Sequence, residues 1–146
     1  MSKSKLGSFL SSKYLCDPYI QLLHCKRTVR FLKIAKADGA RMLILGNKHR
    51  HSVNLGPLLS HSYKETIKVT PEVLINAPGS HDLILCFDPV FYARHLYNVN
   101  LPRIAICTFD DLYQHRDIPD AFDYLIPLRD EQSDVSILDS ITEEEN

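Results

Sequence analysis

Three short, continuous apolar runs constrain the fold of this chain more than any other feature of its sequence. They lie within residues 81–89, 101–108 and 122–128, and each holds four to six apolar residues before a polar residue or a proline stops it. Half-exposed strands alternate polar and apolar residues, whereas continuous apolar runs are typical of strands covered on both faces. The runs therefore predict a parallel sheet with helices packed against it.

The segments around these runs predict the order of the remaining elements. Apolar residues spaced three and four apart indicate a helix over 25–37 with a basic outer face, ended by Gly39. The order β-α-β-(α)-β-(α)-β-α-β-β predicts an α/β domain, a Rossmann-like or flavodoxin-like open, mostly parallel sheet flanked by helices. The other predicted elements are a strand before the first helix, strands over 41–46 and 66–70, short helices over 70–76, 88–97 and 133–141, and a loop over 110–121.

Length and composition indicate one domain. The chain has 146 residues, of which 45% are hydrophobic, enough for a core without disulfides or metals. No apolar run approaches the roughly 18 residues of a membrane helix, so we expect no membrane partner. Cys86 and Cys107 fall inside predicted core strands, which favours a reducing compartment.

The predicted division of the chain is a basic, Ser/Lys-rich arm over 1–15, the α/β domain over 16–140 and an acidic end over 141–146. The arm partly matches an organelle transit peptide, although it contains no arginine. An arm that lies on RNA is an equal alternative.

A sharp division of charge lies behind the net charge of -1. Residues 1–68 hold 13 Lys and Arg against 3 Asp and Glu, whereas residues 69–146 hold 4 against 15. A basic surface neutralises phosphates, and an acidic surface is repelled by them. The division predicts one side for nucleic acid and another for protein or solvent. An ordinary solvated surface with an accidental asymmetry is the alternative.

Two basic clusters are the candidate RNA-binding residues. One is a stripe on the helix over 25–37, and the other surrounds the loop at the carboxyl end of the strand over 41–46, where ligands bind in open α/β sheets. Lysine and arginine contact phosphates, and histidine can stack or donate. A solvated basic surface is again the alternative. The candidates are Lys26, Arg27, Arg30, Lys33, Arg41, Lys48, His49, Arg50 and His51.

Other chemistry has weaker support. The chain lacks G-x-G-x-x-G, a Walker A sequence and G-x-S-x-G, so we predict no cofactor and no catalytic residue. We predict that Asp88 caps a helix. The alternative is a receiver-like phospho-acceptor at Asp88, with Thr108 and Lys48 at other strand ends. A metal site shared with a neighbouring protein is a further alternative, although the spacing does not match a zinc finger. Its candidate ligands are Cys16, His24, Cys25, His49 and His51.

Five segments, taken in order, resemble one protein family. Residues 19–29 (YIQLLHCKRTV) and 39–48 (GARMLILGNK) are similar to the "gIHIIDLekTv" and "gGkiLFVGTK" segments of the small-subunit ribosomal protein S-two family. The later segments HDLILCFDP, LPRIAICT and DYLIP, followed by SIL, resemble the family's "vvvlDP…A…lgIPvvaivDTn…vdyvIPgNDds…Si.li". Together the matches span roughly residues 19–138.

The resemblance implies a Rossmann-like sheet and a non-catalytic, structural role in translation. The protein would be a constituent of the small ribosomal subunit, binding ribosomal RNA with its basic half and neighbouring small-subunit proteins with its acidic half, with no small-molecule substrate. A receiver-like signalling domain or a small α/β enzyme is the alternative function.

Two departures from the family bear on location. Only residues 47–82 separate two core strands, which leaves no room for the family's helical-hairpin insertion, and its HxGH and RWLGGTLTN segments are absent. These departures indicate a divergent mitochondrial version in the matrix. Another organellar ribosome or a bacterial-type ribosome is the alternative location.

Overall fold

A five-stranded, all-parallel sheet forms the centre of the molecule, in a computed structural model that describes residues 17–66 and 69–144. The strands lie side by side in the order β2-β1-β3-β4-β5. They are β1 (Met42–Leu45), β2 (Tyr63–Thr66), β3 (Leu83–Cys86), β4 (Arg103–Thr108) and β5 (Tyr124–Leu128). The sheet and its flanking helices confirm the predicted Rossmann-like or flavodoxin-like α/β class. The predicted arm over 1–15 and Cys16 lie outside the described residues.

Helices cover both faces of this sheet. They are α1 (Pro18–Ala37), α2 (Pro71–Asn76), α3 (Pro89–Leu96), α4 (Phe109–Gln114), α5 (Asp117–Ala121) and α6 (Glu131–Glu144). Helices α1 and α6 pack on one face together with residues 53–59, and α2 to α5 pack on the other. Strand β1 divides its side chains between the two layers, because Met42 and Ile44 point to the first and Leu43 and Leu45 to the second.

The connections that leave and return to the centre of the sheet run over opposite faces. The connection from β1 to β2 packs Leu55 and Leu58 into the first layer, whereas α2, between β2 and β3, packs Leu74 into the second. From β1 the chain adds β2 on one side, and it then returns to add β3, β4 and β5 on the other. The order in which strands are added therefore reverses between β1 and β3, although all strands are parallel. In open α/β folds the crevice at the carboxyl ends of such strands is where ligands bind.

Helix α1 begins earlier than the sequence predicted. The side chain of Asp17 accepts a hydrogen bond from the Tyr19 N–H at 2.8 Å, and Pro18 occupies the first turn. Residues 18–24 are consequently helical, and the strand expected ahead of this helix does not occur within the described residues. The predicted end is confirmed, since Gly39 follows the helix with φ +70°.

Three further predictions are corrected or extended. Strand β2 covers Tyr63–Thr66, so it starts earlier than the predicted 66–70, and most of its side chains are exposed, as suits a sheet edge. Residues 69 and 70 are not in a strand, and residues 67 and 68 of the predicted strand lie outside the described residues. The predicted loop over 110–121 contains α4 and α5, because Thr108 and Asp111 form a capping box that starts α4. Helix α6 extends beyond the predicted 133–141, and Ile141 lies in the core. The short helix capped by Thr70 is confirmed to Asn76.

Helix α1 covers the outer edge of β5. The carbonyl oxygens of residues 123, 125 and 127 accept hydrogen bonds from the side chains of Arg27 (3.1 Å), Thr28 (2.7 Å) and Gln21 (3.0 Å), respectively. Alternate residues of a strand direct their backbone groups to the same side, so Pro127 faces away from β4 and its missing N–H removes no bond of the sheet. An edge that would otherwise invite pairing with another chain is thereby covered.

The three described cysteines are thiols in the interior of the domain. Cys25, Cys86 and Cys107 are free and buried, and the prediction that the last two lie in core strands is confirmed. Burial raises the pKa of the Cys25 thiol to about 12, with a smaller contribution from Asp134, so this thiol stays protonated at neutral pH.

Of the helices within the described ranges, none combines the length and the apolar character that crossing a membrane requires.

Candidate nucleic-acid interface

The loop after β1 lies at the carboxyl edge of the sheet, where β1 and β3 are neighbours. Gly46 begins it with φ +89°, and a Cβ atom at this position would lie 3.4 Å from the Asp88 Cβ. A side chain is therefore disfavoured by the backbone conformation and by the close approach of the segment after β3. The Asn47 side chain then accepts the His49 N–H at 2.9 Å, which tightens the turn.

The Lys48 side chain is held against Tyr63 of β2, the strand at one side of the sheet. Its ammonium group donates to the Tyr63 hydroxyl at 3.2 Å and lies 5.0 Å from the centroid of that ring. The hydrogen bond to Tyr63 is the main cause that raises the pKa of Lys48, so the side chain is charged at neutral pH. Lys48 thus presents a fixed positive charge beside an aromatic ring, an arrangement suited to phosphate and base contacts.

Arg50 pairs with Asp88 across the crevice. Its guanidinium lies 3.2 Å from an Asp88 carboxylate oxygen, and the two side chains are 46% and 31% exposed. The prediction that this carboxylate caps α3 is wrong: the Asp88 side chain accepts no hydrogen bond at the helix start, although its backbone carbonyl accepts the Tyr92 N–H. The Asp88 side chain turns to Arg50, a partner that local sequence rules do not reveal.

We expect Asp88→Asn and Asp88→Ala each to lower the free energy of unfolding by less than about 1 kcal/mol, because an exposed ion pair contributes little. Chemical denaturation of the two variants beside the parent chain measures this. A carboxylate that carried phosphoryl chemistry would behave differently on incubation with acetyl phosphate and magnesium. Covalent phosphorylation that disappears in Asp88→Asn would favour the receiver-like alternative.

Two clefts flank this loop, and His51 lines both. One is a cavity of about 280 Å³ between Lys48, His49 and buried apolar side chains, and the other, of about 230 Å³, lies toward Arg129 and the start of α6. Burial lowers the pKa of His51, and the neighbouring Arg50 lowers it further. His51 is therefore a neutral imidazole at neutral pH, and it supplies hydrogen bonds or stacking rather than charge.

Arg41 does not belong to the loop cluster, and its expected place beside residues 47–51 is wrong. It precedes β1, at the opposite edge of the sheet, about 16 Å of extended chain from Gly46. Its guanidinium holds the Asp82 carboxylate at 3.0 and 3.2 Å, and its N–H donates to the same group at 2.8 Å. These hydrogen bonds lower the pKa of Asp82 to about 2, so the pair stays ionised.

The basic residues of α1 fall into two groups. Arg27, Lys33 and Lys36 are engaged within the domain. The Arg27 guanidinium lies 4.4 Å from the Tyr124 ring centroid, and the ammonium groups of Lys33 and Lys36 donate to the carbonyls of Thr142 and Pro57, each at 2.5 Å. Lys26, which is half-buried, and Arg30, which is exposed, lie on the outer side of the helix, and both also interact with other residues. Spacing of three and four residues places them in line with exposed apolar residues that sequence reasoning missed, namely Tyr19, Leu23 and Ile34.

The charge division of the sequence is only partly a division in space. Helix α1 carries five basic and no acidic residues, but it packs against α6, which carries five acidic and no basic residues. On the opposite face, α2 to α5 carry five carboxylates and a single arginine. The outer side of α1 and the loop after β1 are therefore the basic surfaces, and the α2–α5 face is the acidic one.

Neither alternative chemistry gains a complete site. Asp88 and Thr108 do end neighbouring strands, but Asp88 is paired with Arg50 and Asp111 is engaged in the capping box. Within residues 17–66 and 69–144, no three His, Cys, Asp or Glu side chains lie together as metal ligands would. Cys16, one of the candidate ligands, falls outside these ranges.

Comparisons with known proteins name no family. No protein-family model matches the chain, and a search of curated proteins finds no match.

Proposed function

We propose that this protein is a non-catalytic, structural constituent of the small ribosomal subunit that binds ribosomal RNA and neighbouring ribosomal proteins. The observation that carries the proposal is the ordered resemblance of five segments to the S-two family. In the fold these segments are consecutive parts of one layered domain, on α1, β1, β3 and then β4 with β5. Segments scattered over unrelated elements would support the proposal less than segments that follow one another in a single α/β domain.

The arrangement of basic groups supports an RNA-binding role. Lys48 and Arg50 lie at the carboxyl edge of the sheet, and Lys26 and Arg30 lie on the outer side of α1. Phosphate contacts from such groups position a protein on RNA without reading its sequence. Arg41 contributes less in this proposal, because it precedes β1 and so lies at the opposite end of the strand from the loop after β1.

The opposite face supports contacts with protein. Beside its five carboxylates, it exposes large apolar side chains on α2, α3 and α4, with Ile75 64%, Val73 52% and Phe91 49% exposed. Exposed apolar groups favour contact with another protein, and the acidic groups around them attract a basic protein surface and repel phosphates. Ribosomal proteins that bind RNA are neighbours of that kind.

We further propose that the ribosome is mitochondrial. This is supported by the divergence of the chain from the family's motifs and by the short connection of residues 47–82. In its described part, 47–66 and 69–82, this connection holds β2, α2 and two 3-10 turns but no helical hairpin. The proposal assigns the chain to the mitochondrial matrix.

Sequencing the RNA that co-purifies with a tagged copy tests the proposal. After mild crosslinking in cells that express the protein, we expect small-subunit ribosomal RNA to be enriched over large-subunit RNA and over messenger RNA. Equal recovery of all RNA classes would indicate non-specific attraction to phosphate and would count against the assignment.

A further inference from the structure

The cleft of about 280 Å³ beside the loop after β1 combines an apolar floor with a polar rim. The floor consists of Val53, Leu55, Leu59 and Phe87, all of which are buried. The cleft opens at the carboxyl edge of the sheet, at the β1–β3 reversal. Its volume lies just below the roughly 300–1,000 Å³ typical of sites for drug-sized ligands, so it fits a smaller molecule.

The rim of this cleft consists mainly of donors. Lys48 uses one N–H for Tyr63 and keeps two for a ligand. The Asn54 side-chain oxygen already accepts the Gly56 N–H at 2.9 Å, which leaves its NH₂ group to donate. His49, exposed at the mouth, provides an imidazole ring. A flat apolar body with hydrogen-bond acceptors and one negative charge matches this lining.

We infer that the cleft binds one unstacked nucleotide of single-stranded RNA, its base on the apolar floor and its phosphate at Lys48. The inference rests on the proposed RNA-binding function and deepens it. Proteins recognise single-stranded RNA by taking bases out of the stack and surrounding them with aromatic, apolar and hydrogen-bonding groups. A base gains apolar contact here, and the polar groups of its edge meet the donors of Asn54 and Lys48.

The second cleft is a poorer site for the same ligand. Arg50 and Arg129 line it, but so do three acidic residues at the start of α6, Asp130, Glu131 and Asp134. Their carboxylates repel a phosphate. The charge pattern therefore directs the nucleotide to the apolar cleft.

Nuclear magnetic resonance titration of the full chain tests this inference. The probes are the four nucleoside monophosphates, with ribose 5-phosphate and inorganic phosphate as controls that lack a base. We expect at least one monophosphate to shift the amide signals of residues 47–59 at millimolar concentration, and at least tenfold weaker binding of both controls. Equal shifts with ribose 5-phosphate would mean attraction to phosphate alone and would overturn the inference, as would the absence of any shift.

A second arm distinguishes an RNA nucleotide from a free one. A short single-stranded RNA should shift the same amides more strongly than the monophosphates, and the same RNA with its bases removed should not. If the monophosphates bind but the intact RNA leaves these signals unchanged, the site takes a free nucleotide and the RNA assignment is wrong.

A matched pair of variants tests the location. Asn54→Trp places an indole at the mouth of the cleft, and we expect it to weaken monophosphate binding at least tenfold. Asn98→Trp makes the same change at an exposed position before β4, at the other edge of the sheet, and should leave binding unchanged. Equal effects of the two variants would contradict the assigned location.

The outcomes separate this inference from the proposed function. A chain that associates with small-subunit RNA but shows no base-dependent shifts would refute only the nucleotide site. Base-dependent shifts in a chain that never associates with ribosomal RNA would refute the proposed function, and with it the assignment of the nucleotide to that RNA.

Discussion

Replacing Lys26, Arg30 and Lys48 by Gln in one chain should reduce the slope of log K against log salt for ribosomal RNA binding by about 2 to 3. Each phosphate contact contributes a slope of about 0.7 to 0.9, so three contacts make roughly a 100- to 1,000-fold difference in affinity at 0.1 M salt. Binding measured over a series of salt concentrations gives both quantities. Arg27 is left unchanged because it packs on Tyr124 and its loss would disturb the domain.

The matched control neutralises two exposed acidic residues of α6 that line neither cleft. In the variant Asp139→Asn, Glu143→Gln the salt dependence should stay at the parental value, because these carboxylates make no phosphate contacts in the proposed role. Circular dichroism establishes that both variants are folded. If the acidic substitutions weaken RNA binding more than the basic ones, the basic surface is not the RNA-binding face.

The largest effect on stability is expected at Asp134, a carboxylate buried beneath α1. Its Oδ1 accepts the Gln21 side-chain amide at 2.5 Å and the Arg129 N–H at 2.9 Å, and Gln21 itself is fully buried. Asp134→Ala removes both acceptor contacts and leaves two donors without that partner, one N–H of the buried Gln21 amide, whose bond to the Pro127 carbonyl remains, and the part-buried Arg129 N–H. Because each such donor costs about 1–3 kcal/mol, we expect a loss of about 3 kcal/mol in the free energy of unfolding.

Two companion variants sharpen this test in a denaturation experiment. Asp134→Asn keeps a carbonyl oxygen and should be about 1 kcal/mol less stable than the parent, as expected for a weaker, neutral hydrogen bond. Asp139→Ala, on the exposed side of the same helix, should stay within about 0.5 kcal/mol of the parent. If Asp134→Ala is no more damaging than Asp139→Ala, the contacts between α1 and α6 do not depend on this carboxylate.

The sheet could be predicted because its signal is local. The three apolar runs correspond to β3, β4 and β5, and Gly39 and Thr70 mark helix boundaries through their own backbone and side-chain chemistry. A local signal was also present for α4, since Thr108 and Asp111 form the capping box that the 110–121 loop prediction overlooked. Reading Asp17-Pro18 as a helix start would likewise have placed the beginning of α1.

The candidate site could be predicted only in part, because side-chain partners distant in sequence decide it. Nothing near Arg41 indicates that Asp82 will occupy its guanidinium, and nothing near Asp88 indicates Arg50. The apolar cleft is likewise formed by segments far apart in the chain, with Phe87 following β3 and Leu55 following β1. Such contacts depend on strand order, which the apolar runs alone do not determine.

Sedimentation of a tagged copy through a sucrose gradient tests the central claim most directly. Lysate from cells that express the protein is separated in gentle, low-salt buffer, with ribosomal subunits dissociated in a parallel gradient by removal of magnesium. We expect the tag to migrate with the small subunit in both gradients and to be released as salt is raised. A tag that stays at the top of the gradient while intact ribosomes are present, or that follows the large subunit, would contradict it.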